Sequence, residues 1–307
     1  MSQQPLSHYL RQFLEHLEIE KNRSPLTLRN YNFYLNRFVE YAKDCRPEEI
    51  SQDLVREFRL WLNRYHQGLE GELKKSTQNY HLIALRSFLK YLAKRDIATL
   101  PPEKIELSKQ SARQVAFLEP DELLRLMEAP FRSDADDIIK LRDSAILQLL
   151  FSTGLRVQEC AALKTEQINL KRDEFTIKGK GDKNRIVFLS DPAKSALHKY
   201  LEARSDVSEF LFVRHDRAKL GEVGSLTPRS IQRVLDRYAR VAGITKNVTP
   251  HTLRHSFATD LLRNGADIRS VQALLGHSSI TTTQLYTHVT NQGLKEVHRK
   301  FHDRKSM

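Results

Sequence analysis

At Pro101-Pro102 the chain changes character, and no other feature limits its fold as much. Two successive prolines remove two amide donors and cannot continue a helix. The residues after them, as far as Gln114, are largely polar. Upstream, apolar residues recur only at helical spacing; downstream, helical and strand patterns are mixed. A chain of 307 residues is also about two domains long. The expected organisation is a helical domain over 1–100, a linker over 101–115 and a second domain over 116–307.

Four helices are predicted upstream. Ser24-Pro25 joins an N-cap side chain to the residue suited to the first helical position, and Leu28, Tyr31, Leu35, Phe38 and Tyr41 follow on one face. Ser51 caps a segment with Leu54, Phe58, Trp61, Leu62 and Tyr65. Another runs through Tyr80, Ile83, Leu85, Phe88, Leu89 and Leu92, and the first holds Tyr9, Phe13, Leu14 and Leu17. Such helices make a small bundle.

Downstream, Glu119-Pro120 starts a helix and 138–151 forms one that stops at Gly154. Asp191-Pro192, Thr227-Pro228 and Thr249-Pro250 open three more. Gly243 and Gly265 stand where helices should end. Phe175-Thr-Ile-Lys and Arg185-Ile-Val-Phe-Leu flank a Gly179-Lys-Gly-Asp turn and predict a β-hairpin. Short helices are expected from Asp267 and Ser279, then a last amphipathic one through Leu294, Val297 and Phe301. The fold class is mainly α with a small β-sheet: an N-terminal four-helix domain followed by an α+β domain.

Charge narrows the partner. Fifty Lys and Arg against 38 Asp and Glu leave a net charge of +12, which favours an acidic partner, nucleic acid first and an anionic membrane surface second. Residues 1–108 hold 17 basic and 14 acidic side chains, and 109–307 hold 33 and 24, so both halves are positive. Two positive domains on a link can close around a duplex as a clamp; the plain alternative is two ordinary basic surfaces. Cys45 and Cys160 are the only cysteines, which excludes a disulfide scaffold and a four-cysteine zinc module. The N-terminus lacks the pattern of a secretory signal, and the longest apolar run, 145–151, is far short of the roughly 20 residues of a membrane span. A cytoplasmic protein without membrane contact is expected.

Four clusters in the second domain can carry chemistry. In Thr153-Gly-Leu-Arg156-Val-Gln-Glu159, Arg156 starts a helix on a rigid turn, placed to grip a phosphate with two parallel hydrogen bonds. Alone it reads first as a solvated helix-start arginine, and Glu159 either fixes it or is a surface acid. Lys178-Gly-Lys180-Gly-Asp-Lys183-Asn-Arg185 is a basic hairpin tip able to approach a nucleic-acid backbone, or merely a solvated turn; the spacing is not that of a P-loop. In Pro250-His251-Thr-Leu-Arg254-His255, His251 and Arg254 share one side of a helix. His251 and His255 have zinc-ligand spacing, but Thr252 stands where HExxH needs Glu and no third ligand is evident. His255 reads as packed. Finally Leu274-Leu-Gly276-His277 precedes Tyr286. Tyr200 and Tyr238 sit among apolar neighbours as core residues do, whereas Tyr286 follows the polar run Thr281-Thr-Thr-Gln.

In order and combination these clusters resemble the tyrosine site-specific recombinase (lambda-integrase) family, with spacing nearest the Xer branch. The resemblance spans essentially the whole chain, and 249–288 is similar to the family's C-terminal signature over nearly its full length. It implies a helical core-binding domain, then a catalytic domain whose catalytic set falls on Arg156, Lys180, His251, Arg254, His277 and Tyr286. Lys178 and Lys183 share the tip with Lys180, so the lysine is the least firmly placed. Glu159 matches the acid that supports the first arginine.

The chemistry suits such a set. A covalent protein–DNA ester conserves bond energy, so a strand can be cut and rejoined without ATP. A phenol with a pKa of about 10 is both a usable nucleophile and a good leaving group. Arg156 and Arg254 would stabilise the charge gathering on the phosphate, with a hydrogen bond from His277. His251 would manage the Tyr286 proton, and Lys180 would protonate the departing 5′ oxygen. No cofactor or metal is called for.

The resemblance further implies a 3′-phosphotyrosyl intermediate and a Holliday junction. It implies four protomers, identical or of two kinds, on two specific double-stranded sites, with the C-terminal helix docked on a neighbour. Resolution of chromosome dimers is the first expectation, since no arm-binding domain is added; a phage, transposon or plasmid integrase is the alternative. A type IB topoisomerase-like enzyme, a metal-dependent nuclease and a DNA-binding protein without catalysis are the other readings. The sequence leaves open the target site and any need for a second recombinase or a DNA translocase. Base contacts are expected from the helix face over 229–240.

Overall fold

The computed structural model describes residues 4–64, 73–108, 116–179, 184–215 and 224–276. The chain divides into two compact units, Met1–Arg113 and Gln114–Met307.

The first unit is built on four helices: α1 (Leu6–Ile19), α2 (Pro25–Tyr41), α3 (Gln52–Arg64) and α4 (Lys75–Ala93). Leu6, Leu10, Phe13 and Leu17 recur every three or four residues of α1, so they lie in one stripe. That stripe is buried against Leu35 and Phe38 of α2 and Leu85, Phe88 and Leu92 of α4. Ser24 caps α2 by accepting from the Thr27 amide at 3.4 Å, with Pro25 at the first helical position. Ser51 does the same for α3 through the Leu54 amide at 3.1 Å.

The stretch read as linker is seated on this unit through residue 108. Leu100 and Ile105 are buried in the first core. The Asn79 side chain on α4 donates to the Ser108 carbonyl at 2.9 Å and accepts from the Ser108 amide at 3.1 Å. Helix α4 ends at Ala93, before the prolines, and buried apolar side chains together with the Asn79 bonds dock the segment on the bundle.

The second unit contains α5 (Pro120–Glu128), α6 (Asp137–Thr153), α7 (Val157–Ala161), β1 (Glu174–Lys178), β2 (Asn184–Phe188), α8 (Asp191–Ala203), α9 (Pro228–Val241), α10 (Pro250–Arg263) and α11 (Ile268–Leu275). Helix α6 is its axis, buried over 142–147 and again at Leu149, Leu150 and Thr153, and packed on α8 and α10. Tyr200 and Tyr238 are fully buried in the same core. Strands β1 and β2 form an antiparallel hairpin with Phe175 opposite Val187 and Ile177 opposite Arg185. Phe175, Ile177 and Val187 turn into the core, so the two-residue strand period puts Arg185 on the inward face as well.

Helices α9 and α10 begin as their Thr-Pro pairs predict, and α10 and α11 meet in a satellite cluster of Ala258, Leu262, Val271 and Leu275. The helix expected from Ser279 and the last helix through Leu294, Val297 and Phe301 lie outside the described residues. Among the described residues no helix is long and apolar enough to cross a membrane.

Candidate active site

Two helices of the second unit end on a glycine in the left-handed region: α6 at Gly154, φ +58°, and α11 at Gly276, φ +62°. A helix end leaves carbonyls without intrahelical partners and carries partial negative charge. Two arginines use those carbonyls. Arg254, 3% exposed on α10, donates from Nη1 to the Gly154 carbonyl and from Nη2 to the Leu275 carbonyl. Arg156, at the start of α7, donates from Nη2 to the next carbonyl, that of Gly276, at 3.1 Å. Residues 100 or more positions apart in sequence are thereby drawn to one point. The Arg254 side chain is covered, whereas the Arg156 side chain is 37% exposed and open to an incoming anion.

Glu159 holds Arg156 from behind. Its carboxylate accepts from the Arg156 amide at 2.8 Å and from Nη1 of the same residue at 2.9 Å, so it caps α7 and aims its first side chain at once. It also accepts a two-pronged bond from Arg185, Nη2 to Oε2 at 2.9 Å and Nη1 to Oε1 at 3.3 Å. Burial pushes the Glu159 carboxyl up, but the Arg156 amide and the Arg185 and Arg156 guanidinia outweigh it and hold it below the usual carboxylate range.

His251 lies in the first turn of α10, exposed, one turn before Arg254. Its ring meets that of buried His255 edge to face, with centroids 4.2 Å apart. Thr249 fixes this turn: its hydroxyl accepts from the Thr252 amide at 3.1 Å, and Thr252 returns the bond to the Thr249 amide at 3.1 Å. Among the described residues no group of three or more His, Cys, Asp or Glu is placed to hold a metal ion.

Arg156, His251 and Arg254 of the expected set are thus described, and the two arginines converge. Lys180, His277 and Tyr286 lie outside the described residues, as does the tip that carries Lys183. Beside the N-terminus of α9, Arg214, Arg229, Arg233 and Arg237 line a cleft with His215. Its fifth arginine, Arg142, is neutralised by the neighbouring buried Asp143 at 2.7 Å. Positive side chains at a helix N-terminus make an anion-attracting surface.

Paired, rigidly anchored guanidinia at the end of two helix dipoles are suited to the non-bridging oxygens of a phosphodiester. Residues 10–96 match the N-terminal SAM-like domain of phage integrases and 116–292 match the phage integrase family. The chain therefore belongs to the phage integrase family, the tyrosine recombinases. It is 38% identical over 305 residues to tyrosine recombinase XerC of Pelobacter propionicus, covering 97% of this chain and 96% of that one. It is equally 38% identical, over 298 residues, to tyrosine recombinase XerD of Listeria innocua, covering 95% and 97%. Among solved structures, the XerH site-specific recombinase bound to palindromic difH substrate, in a post-cleavage complex, matches with a TM-score of 0.71 at 25% identity, covering 96% of this chain and 84% of that one. The chain is a Xer-type site-specific recombinase.

Arg185 is the residue that the sequence pattern alone undervalues. It stands last in a basic run and reads as one more charge on a solvated tip, yet its side chain is only 10% exposed. The signal was available: counting back by twos from Leu189 and Val187, both buried, puts Arg185 on their face.

Proposed function

We propose that this chain cuts and rejoins one DNA strand at a time through a phosphotyrosyl intermediate, and that it resolves chromosome dimers in the cytoplasm. The observation that carries the reading is the pair of guanidinia held by the adjoining carbonyls of Leu275 and Gly276. Arg156, open to an incoming anion, binds the scissile phosphate, and both guanidinia take up the charge that gathers on its oxygens in the transition state; a donor in contact is worth roughly 3–4 kcal/mol by the measure of other oxyanion donors. Tyr286 attacks the phosphorus, the 5′ oxygen leaves, and the protein stays on the 3′ phosphate. Lys180 protonates the 5′ oxygen as it departs, His277 adds a hydrogen bond to the phosphate, and His251 manages the proton of the phenol. Reversal by a 5′ hydroxyl from the partner duplex joins the exchanged strand, so four protomers on two sites pass through a Holliday junction.

The first unit and the arginine cleft beside α9 supply duplex contacts. Specificity comes from side chains over 229–240 that reach base edges; phosphate contacts position the duplex without reading it. The chain acts with copies of itself or with a second recombinase on the same site.

The test is covalent capture. The chain is incubated with nicked duplexes of randomised sequence, denatured, and the DNA-linked peptide is mapped by mass spectrometry. A single adduct at Tyr286 is expected, formed in EDTA and absent from Tyr286→Phe, which still binds. Cleavage with no protein attached, or an adduct on another residue, overturns the mechanism.

A further inference from the structure

An arginine on the inward face of a strand is out of place unless it has a partner, because a buried unpaired charge is costly. Arg185 has one. It reaches from β2 to Glu159 with both terminal nitrogens, and Glu159 is the group that holds Arg156 by its amide and its guanidinium. Arg185 also lies along Gly276 so closely that a Cβ there would fall 2.9 Å from its Cδ and 3.0 Å from its Nη1. The carbonyl of that same glycine accepts from Arg156. One side chain thus touches both anchors of Arg156.

We propose that Arg185 is a positioning residue for the cleavage step, acting through Glu159 and Gly276 to fix the Arg156 guanidinium. The inference rests on the reading of Arg156 as a phosphate ligand. Charge alone does not suffice for the task. A lysine keeps the charge but cannot form the two-pronged bond, so Glu159 is free to turn and Arg156 to drift.

The test uses the nicked duplex selected by covalent capture with the unaltered chain. Single-turnover adduct formation is followed on the bound complex for the parent chain, Arg185→Lys, Arg156→Lys and the double variant. A misfolded fraction lowers the amplitude and not the rate constant, so a merely structural role and a positioning role separate in one trace. Arg185→Lys should cut the rate constant about 10²-fold, the penalty of a displacement near 1 Å at a reacting centre, with DNA affinity unchanged. In the Arg156→Lys background the same change should slow the reaction less than about threefold, because the group it positions is already gone. An unslowed Arg185→Lys, or equal slowing in both backgrounds, overturns the inference while a parent adduct leaves the recombinase reading intact. A parent chain that forms no adduct overturns both.

Discussion

Gly154 is required on two counts. Its φ of +58° belongs to the left-handed region, where a Cβ costs roughly 1–2 kcal/mol. A Cβ would also come within 2.7 Å of Phe257 Cδ1 and 3.0 Å of Leu275 Cδ2. Crowding of that kind adds about 1–3 kcal/mol. Gly154→Ala should therefore destabilise the chain by a few kcal/mol, read by calorimetry as a lower melting temperature. It should also slow adduct formation, since the displaced carbonyl is the one that holds Arg254. A variant that melts with the parent chain would show that the turn yields freely. The sequence reveals the helix stop at this position, because glycine after a long apolar run is a stop signal. It does not reveal the neighbours, which come from 103 and 121 residues downstream. The same holds for Arg156 and Arg254: each is conspicuous in its own motif, but shared anchoring at 275–276 is a property of the fold.

Helix α10 depends on its first turn. The reciprocal bonds of Thr249 and Thr252 satisfy two amides, and Pro250 supplies a residue with no amide to satisfy. That turn carries His251. Thr249→Ala should cost about 1 kcal/mol, seen as a roughly fivefold rise in hydrogen exchange at the first-turn amides of α10. Thr249→Ser, which keeps the oxygen, should restore most of the protection; exchange unchanged in Thr249→Ala would mean that packing alone holds the turn. Elements of this kind are the legible part of the chain. Cap-plus-proline pairs at Ser24, Thr227 and Thr249 each open a helix where local chemistry says they should. The hairpin is equally plain in its alternating apolar residues. Less legible is 100–108, where the prolines draw attention from Leu100 and Ile105, and the docking is settled by distant helices that no local pattern encodes. Arg185 fails for the opposite reason: a run of five charged residues over 178–185 suggests water, and the side chain of its last member is only 10% exposed.

Across the whole molecule the positive charge is in both halves of the sequence, and a good part of it is already used internally. Arg142, Arg185 and Arg204 are paired with acids at 2.7, 2.9 and 2.5 Å, each with a nearly covered side chain. These add nothing to long-range attraction. What remains for the duplex is the exposed share, such as Arg229 and Arg233 in the cleft beside α9. Each phosphate neutralised releases counterions, so the logarithm of the binding constant should fall linearly with the logarithm of salt, with a slope of about −0.9 per contact. A duplex held through about six contacts should lose roughly 10³-fold in affinity between 50 and 200 mM salt. Titrating a labelled duplex across that range measures the slope directly. Arg233→Gln should make it shallower by about one unit and weaken selected and unrelated duplexes alike, as a phosphate contact does. A loss confined to the selected sequence would instead make Arg233 a reader of base edges, and a slope unchanged by the substitution would place the duplex on another face of the second unit.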